Sequence, residues 1–209
     1  MKLKVCGMNQ NPSEVAQLQP DYLGFIFWEP STRYFEGEMP TLPASIKKVG
    51  VFVDASIEEV LSSIEKYGLA AVQLHGNESP KFCKTLKKNN QSIDIIKVFS
   101  IKDDFDFSIL EEYEEVCDYY LFDTKGKLPG GNGYAFDWSV LNNYLSTKPY
   151  FLSGGIGLDS ASKLQAFLDS TASRYCHVID VNSKFEMEPG LKNIDQLREF
   201  KKILTQDTL

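Results

Sequence analysis

The hydrophobic residues of the chain fall into eight short runs that are separated by longer, more polar segments. Most of these runs are continuously apolar and rich in β-branched and aromatic residues, instead of alternating between apolar and polar positions. Continuous runs are typical of parallel strands that are buried on both faces. We therefore predict eight strands, at residues 3–6, 22–27, 48–53, 71–74, 95–99, 119–122, 150–152 and 178–181.

The segments between the runs carry helix signals. Ser56, with Glu59 three residues later, has the pattern of a capping box and predicts a helix over 57–67, and Gly68 predicts its end. The segment 29–45 holds three prolines, which interrupt any helical period, so we predict a long irregular loop there. Further helices are predicted over 13–18, 80–88, 108–116, 137–145, 159–168 and 194–204.

Alternating strands and helices in a chain of 209 residues predict an α/β fold, a single-domain (β/α)₈ TIM barrel that spans residues 1–209. The alternative is a doubly wound open sheet, because the number of repeats does not by itself prove closure. The distinction matters for function. In a barrel the active site is built at the carboxyl ends of the strands, so residues that directly follow each strand form one ring.

Composition and charge exclude several classes of function. The net charge of −7 at pH 7 argues against a nucleic-acid or anionic-membrane partner. The start of the chain leads directly into the first strand, with no signal-peptide pattern, and no apolar run approaches membrane-spanning length. The four cysteines are scattered and have no metal-ligand spacing, so we expect reduced thiols, no metal site and a cytoplasmic location.

Two residues of the predicted ring suggest acid–base chemistry. Cys6 ends the first strand, where a thiol is either an inert core residue or, as a thiolate, a base. Asp123 ends the sixth strand and is not needed as a helix cap, because Asp137 directly precedes the next helix. Partial burial favours the protonated form of a carboxylate, so Asp123 is suited to act as a general acid. Cys6 and Asp123 are therefore a candidate catalytic pair.

The loops after the last two strands predict a phosphate site. Gly154 and Gly155 follow the seventh strand, and Asn182 and Ser183 follow the eighth. Glycines allow backbone N–H groups to approach an anion, and barrels frequently hold a phosphate between these two loops. Alternatively, a glycine pair only forms a tight turn and has no binding role. The small polar residues on the neighbouring loop favour the phosphate interpretation.

Other polar residues near strand ends are ambiguous. Arg33 lies in the long loop after the second strand, where it is either solvated or bound to a planar carboxylate. His75 and His177 have no metal-ligand partner in sequence. Asp54 and Asp180 end strands, but their spacing does not suggest a metal pair.

Several segments together resemble one family, the phosphoribosylanthranilate isomerases of tryptophan biosynthesis. They occur in the family's order, from the first strand to the approach of the last helix, and their combination is highly specific. The segments are KVCGM (4–8), LGFIFWEPSTRYF (23–35), VGVFVD (49–54), VQLHGNE (72–78), LFDT (121–124), GGNGYAFDW (130–138), LSGGIG (152–157) and DVNSKFEMEPGLKN (180–193).

The resemblance implies a (β/α)₈ barrel that carries out an Amadori rearrangement without metal or cofactor. The substrate would be N-(5′-phosphoribosyl)anthranilate, a small phosphorylated molecule, and the product 1-(2-carboxyphenylamino)-1-deoxyribulose 5-phosphate. By motif, Cys6 is the general base, Asp123 the general acid, and Arg33 contacts the anthranilate carboxylate. The other residues that the resemblance places in the substrate site are His75, Gly154, Gly155, Asp180, Asn182 and Ser183. The sequence leaves open whether the protein is a monomer or a homodimer.

The chain departs from the family pattern in two places. The usual Ser-Ser-Gly after the eighth strand is Asn182-Ser183-Lys184, which loses a glycine and adds a cation, and the usual Lys-Thr is Tyr134-Ala135. Neither change affects the proposed acid–base pair.

Two other phosphate-binding barrel enzymes are alternatives, and both differ from this chain in their catalytic residues. The histidine-pathway aminoaldose isomerase uses two aspartates, whereas the first-strand position here is Cys6, and indole-glycerol-phosphate synthase needs a lysine acid and strand-end glutamates that this chain lacks. A barrel that only binds a phosphorylated ligand is a rival of another class. The presence of both Cys6 and Asp123 counts against it.

Overall fold

The computed structural model closes eight parallel strands into a barrel, and it describes residues 1–102, 104–124 and 136–205. Each strand pairs with its neighbour in sequence, and the first strand pairs with the eighth. That last pairing confirms the predicted barrel and excludes the open sheet. The barrel strands are β1 (Lys2–Val5), β2 (Tyr22–Ile26), β3 (Lys47–Phe52), β4 (Ala71–Leu74), β5 (Asp94–Ile101), β6 (Tyr119–Thr124), β7 (Tyr150–Leu152) and β8 (Cys176–Val181).

The α-helices pack outside the barrel. Ser56 and Glu59 form the predicted capping box of the second helix, and Gly68 ends this helix in the left-handed conformation with φ 59°. Residues 29–45 contain no helix, as predicted. The α-helices are α1 (Pro12–Gln17), α2 (Ile57–Tyr67), α3 (Pro80–Asn89), α4 (Ala161–Leu168) and α5 (Ile194–Thr205).

Two of the predicted α-helices, over 108–116 and 137–145, are wrong in type. The structure has 3₁₀ helices there, at Phe107–Tyr113 and Trp138–Asn143. The second of these buries Trp138 and Leu141. A spacing of three residues puts both side chains on one face of a helix with three residues per turn, so this helix can bury both against the barrel. Other short 3₁₀ turns occupy Leu158–Ser160, Thr171–Tyr175 and Ser183–Phe185.

A small antiparallel hairpin follows the eighth barrel strand, and the sequence pattern did not predict it. Its strands are β9 (Glu186–Glu188) and β10 (Leu191–Lys192), and Gly190 at the turn has φ 84°. Positive φ favours glycine, so the Pro-Gly pair of this segment is a turn signal. The hairpin matters because it carries two charged residues toward the barrel mouth.

The barrel interior changes from apolar to polar along the strands. On β4, β6 and β8 an apolar residue is followed two positions later by a polar one: Ala71 by Gln73, Leu121 by Asp123, and Val178 by Asp180. Residues two apart in a strand share a face, so each pair points into the barrel. The apolar members belong to a buried cluster, and the polar members are also buried. A polar layer therefore lies on the carboxyl side of an apolar plug, where the barrel opens.

Candidate active site

One pocket opens at the carboxyl ends of the barrel strands and brings all nine predicted site residues together. Each of the residues in this pocket lies at the end of a strand or in the loop that follows it. Trp28, Ser31 and Lys184 also line the pocket, which gives it an aromatic face and an additional cation. The predicted residues in the pocket wall are Cys6, Arg33, His75, Asp123, Gly154, Gly155, Asp180, Asn182 and Ser183.

A buried ion pair crosses the floor of this pocket. Lys4 Nζ lies 2.7 Å from Asp180 Oδ2 and donates a second hydrogen bond of 2.7 Å to Gln73 Oε1. Lys4 has no solvent exposure, and its strand position is directly opposite Asp180 in the pairing of β1 with β8. The second oxygen of the carboxylate, Oδ1, is buried and has no hydrogen-bond partner among the described residues. The pair therefore leaves one unpartnered acceptor on a side chain that lines the pocket.

Cys6 directly follows β1, at the edge of the polar layer. Its backbone N–H donates to Val181 O at 2.8 Å, which extends the pairing with β8, and the side chain is 5% exposed. Burial raises the pKa of the thiol. Lys4 and Lys192 oppose this shift, whereas Asp180 reinforces it. The net shift of the Cys6 pKa is upward, which favours the protonated thiol.

Asp123 faces a histidine across the pocket. Its Oδ2 lies 3.4 Å from His75 Nε2, and its Oδ1 accepts the backbone N–H of Thr124 at 2.9 Å. The other ring nitrogen, Nδ1, lies 3.3 Å from Gln73 Nε2. Since Gln73 also binds Lys4, polar contacts run through the layer from Lys4 to Asp123. The sequence offers no partner for His75, whereas in the structure its ring lies beside Gln73 and Asp123; Nε2 makes no hydrogen bond among the described residues.

The loop after β7 needs glycine for two reasons. Gly154 and Gly155 have φ 93° and 66°, which is the left-handed region. A Cβ on Gly154 would also stand 2.2 Å from Thr124 Oγ1 and 2.7 Å from Thr124 N. The loop therefore lies directly against the end of β6, with its backbone at the pocket surface.

The loop after β8 holds a cation that the other loop does not have. Lys184 Nζ lies 2.9 Å from Asp159 Oδ2, and both side chains are partly solvent-exposed. Asn182 turns its Oδ1 away to Lys192, which donates a hydrogen bond of 2.7 Å. The Asn182 amide nitrogen, the Ser183 hydroxyl and the ammonium of Lys184 are thus side-chain donors that this loop can offer to an anion.

Arg33 is part of a buried charge cluster with the hairpin. Its guanidinium binds Glu186 with contacts of 2.9, 2.9 and 2.6 Å, and Lys192 Nζ lies 2.7 Å from the same carboxylate. Burial raises the pKa of Glu186, but Arg33 and Lys192 outweigh it and the net shift is downward. Burial lowers the pKa of Lys192. Two cations share one anion, so the cluster presents a net positive charge beside the pocket.

Other residues that the sequence left ambiguous have structural roles. His177 lies at the start of β8, 3.0 Å from Lys2 Nζ and stacked on Tyr119, so it is remote from the pocket. Asp54 accepts the backbone N–H of Asn77 at 2.6 Å and fixes the loop after β4. The departure at Tyr134-Ala135 and the loop 125–133 fall outside the described residues.

Within residues 1–102, 104–124 and 136–205, no three His, Cys, Asp or Glu side chains come close enough to hold a metal ion. In the same part of the chain, no helix has the length and apolar character that crossing a membrane requires.

The chain is similar to proteins of one family across almost all of its length. The sequence model of the family described as N-(5'phosphoribosyl)anthranilate (PRA) isomerase matches residues 3–202. A curated relative from Parabacteroides distasonis, named N-(5'-phosphoribosyl)anthranilate isomerase, is 46% identical over 209 residues, covering 96% of this chain and 91% of the relative.

Solved structures agree with the sequence relatives. The phosphoribosyl anthranilate isomerase from Thermus thermophilus aligns with a TM-score of 0.79 at 25% identity, over 98% of both chains. A second phosphoribosyl anthranilate isomerase, solved in complex with reduced 1-(o-carboxyphenylamino)-1-deoxyribulose 5-phosphate, aligns with a TM-score of 0.75 at 27% identity, over 97% of both chains.

Proposed function

The chain belongs to the N-(5'-phosphoribosyl)anthranilate isomerase family, and we propose that it converts N-(5′-phosphoribosyl)anthranilate to 1-(2-carboxyphenylamino)-1-deoxyribulose 5-phosphate in tryptophan biosynthesis. The observation that carries this proposal is the meeting of Cys6 and Asp123, from β1 and β6, in one pocket with the glycine loop. The pocket thus contains a base, an acid and an anion site for the substrate that the family rearranges.

The reaction begins with ring opening. Asp123, in its protonated form, donates a proton to the furanose ring oxygen while the anthranilate nitrogen lone pair forms a C1′–N double bond. The ring C1′–O bond breaks and a protonated Schiff base results. His75 Nε2, 3.4 Å from Asp123 Oδ2, is close enough to stabilise the carboxylate that is left.

Cys6 then completes the rearrangement. Its thiolate removes the proton from C2′, and the electron pair forms a C1′–C2′ double bond as the iminium nitrogen becomes neutral. The resulting enolamine tautomerises: C1′ gains a proton and the 2′-hydroxyl loses one to give the ketone. At the end of one turnover Cys6 is protonated and Asp123 is ionised, so a proton must pass from Cys6 to Asp123 through solvent before the next.

The two ends of the substrate fit two positive regions of the pocket. We assign the phosphate to the backbone of Gly154 and Gly155 together with Asn182 and Ser183. The anthranilate carboxylate lies against Arg33, whose cluster with Glu186 and Lys192 has a net positive charge.

The ribose lies between these two ends. We assign a ribose hydroxyl to Asp180 Oδ1, because that buried acceptor has no partner among the described residues. This contact would fix the sugar above the floor of the pocket, between the thiol and the carboxyl group.

Lys184 is expected to strengthen phosphate binding, since it stands where the family has glycine. Its ion pair with Asp159 is partly exposed and therefore worth only about 0–1 kcal/mol, so a phosphate dianion can displace Asp159. Lys184→Ala should raise KM by about three- to tenfold and leave kcat nearly unchanged.

Steady-state kinetics measure this effect, with Asp159→Asn as the opposing variant and Lys202→Ala as the control. Asp159→Asn frees the ammonium of Lys184 and should lower KM. Lys202 is exposed on α5, so its loss should change neither constant. An unchanged KM in Lys184→Ala would remove this lysine from the phosphate site.

The proposed activity can be tested in cells. A bacterial strain that lacks its own phosphoribosylanthranilate isomerase requires tryptophan, and expression of this chain should restore growth without it. Expression of the Cys6→Ala variant at the same level should not. Failure of the wild-type chain to restore growth, despite accumulation of folded protein, would contradict the proposal.

A further inference from the structure

Lys4 carries a buried charge on the floor of the pocket, and the proposed reaction assigns this residue no role. Two hydrogen bonds of 2.7 Å, to Asp180 and to Gln73, fix its ammonium group, and the residue has no solvent exposure. Burial lowers the pKa of Lys4, but Asp180 and Cys6 outweigh it and the net shift is upward. Lys4 is thus a permanent cation in a low-dielectric site, where a charge acts strongly on its neighbours.

The neighbour that matters is Cys6, and the backbone of β2 shows how close the two side chains are. A Cβ placed on Gly24 would stand 2.8 Å from Cys6 Sγ and 3.2 Å from Lys4 Cε. Both side chains therefore lie over Gly24, and no residue lies between them. Because Lys4 and Cys6 are two residues apart at the end of β1, they also lie on the same side of the chain.

The charged groups that surround the thiol come from several elements. Lys4 and Lys192 favour the thiolate, whereas burial and Asp180 favour the thiol. Both lysines are paired with a carboxylate, Lys4 with Asp180 and Lys192 with Glu186. Of the two, Lys4 acts more strongly on the thiol. The remaining charged or titratable groups near this cluster are His75, Asp123 and Arg33.

We propose that Lys4 is a positioning residue for Cys6: its ammonium group, fixed by Asp180 and Gln73, is the counter-ion that stabilises the Cys6 thiolate. When Asp180 Oδ1 accepts a hydrogen bond from a hydroxyl of the bound ribose, the substrate shares the negative charge of the carboxylate. The Lys4 ammonium group then stabilises a negative charge on the Cys6 sulfur more strongly. Substrate binding would thereby promote formation of the base. The inference rests on the proposed function for its role in turnover, although the pairing itself does not depend on it.

Two variants separate the charge of Lys4 from its contribution to folding. Lys4→Met alone would leave Asp180 as an unpaired buried charge, and Asp180→Asn alone would leave Lys4 as one, so the test compares the wild-type protein with the double variant Lys4→Met/Asp180→Asn. The double variant has no unpaired charge at this position, and it loses the Lys4 cation together with the Asp180 anion, which acts less strongly on Cys6. Lys4→Gln/Asp180→Asn is a second double variant without charge at these positions, to be used if the first does not fold. Circular dichroism and thermal melting show whether each variant is folded.

The measurement is the rate of iodoacetamide alkylation of Cys6 against pH, followed on the Cys6 peptide by mass spectrometry. Cys176 is an internal control, because it lies at the other end of the barrel and burial raises its pKa to about 12. We expect the apparent pKa of Cys6 in the wild-type protein to be lower than in the double variant by about one pH unit. The Cys176 profile should be the same in both.

Equal Cys6 profiles in the wild-type protein and the double variant would overturn the inference, as would a shift of Cys176 that matches that of Cys6. Alkylation requires no turnover, so the result is independent of the proposed isomerase activity. If the wild-type protein failed to rearrange the substrate while the alkylation profiles differed as expected, the pairing would stand and the proposed function would fall.

Discussion

Replacing Cys6 with serine is expected to lower kcat by about 10²–10⁴-fold, the range typical for loss of a general base. Serine is close to cysteine in size, so the barrel mouth should keep its shape. The hydroxyl, however, does not ionise in the accessible pH range and cannot remove the proton from C2′. KM should change little, because the thiol is assigned no binding role. Steady-state kinetics and a thermal melt of the same preparation separate the loss of the base from any loss of fold.

The pH dependence of the wild-type enzyme tests the role of the Cys6 thiol in a second way. Burial raises the pKa of Cys6, so the thiolate fraction at neutral pH is small and grows as the pH rises. The rate of the C2′ proton-removal step should therefore increase with pH until the pKa of the thiol is passed. Cys176→Ser is the matched control, because Cys176 is remote from the pocket and its replacement should leave kcat unaltered. Near-normal kcat in Cys6→Ser would remove Cys6 from the chemistry.

Asp123→Asn is the second substitution for which we expect a large loss, again about 10²–10⁴-fold in kcat. Asparagine keeps an oxygen that can accept the backbone N–H of Thr124, so the end of β6 should remain intact. An amide does not donate an acidic proton to the ring oxygen, and ring opening should become rate-limiting.

A change in the rate-limiting step distinguishes this loss from that in Cys6→Ser. Substrate deuterated at C2′ should show a smaller isotope effect in Asp123→Asn than in Cys6→Ser. Asp195→Asn on α5, where the carboxylate is 90% exposed, is the matched control. If Asp123→Asn turned over substrate at the wild-type rate, another group would have to be the acid.

The parts of the site that follow a strand in sequence could be predicted from local pattern. Cys6 and Asp123 both end continuous apolar runs, and parallel strands deliver their carboxyl ends to one rim, so their meeting follows from barrel closure alone. The glycines after β7 were predictable for the same reason. The helix limits at Ser56 and Gly68 followed from side-chain and backbone preferences that act over a few residues.

The polar floor could not be predicted in this way, because its contacts are non-local. Lys4 stands between Leu3 and Val5, and such alternation reads as a strand with one solvated face. Only closure of the barrel, which pairs β1 with β8, places Asp180 opposite Lys4 and turns an apparently exposed lysine into a buried one. The interior-facing register of the strands was the signal that could have revealed it.

The hairpin and the 3₁₀ helices were missed for a different reason. β9 and β10 are too short to show a period, so Glu186 was not recognised as the carboxylate that binds both Arg33 and Lys192. In the 3₁₀ helix that contains Trp138, the type of helix depends on which side chains the barrel surface can bury. That information lies in the packing, and helical propensity does not contain it.

Rearrangement of N-(5′-phosphoribosyl)anthranilate by this chain, with Cys6 and Asp123 as base and acid, can be followed directly. The measurement is the fluorescence of the anthranilate substrate after addition of purified protein in a buffer that contains a metal chelator. We expect a rapid loss of fluorescence with the wild-type protein and almost none with Cys6→Ser or Asp123→Asn. Stable fluorescence with folded wild-type protein, or equal loss with all three, would contradict the proposed function.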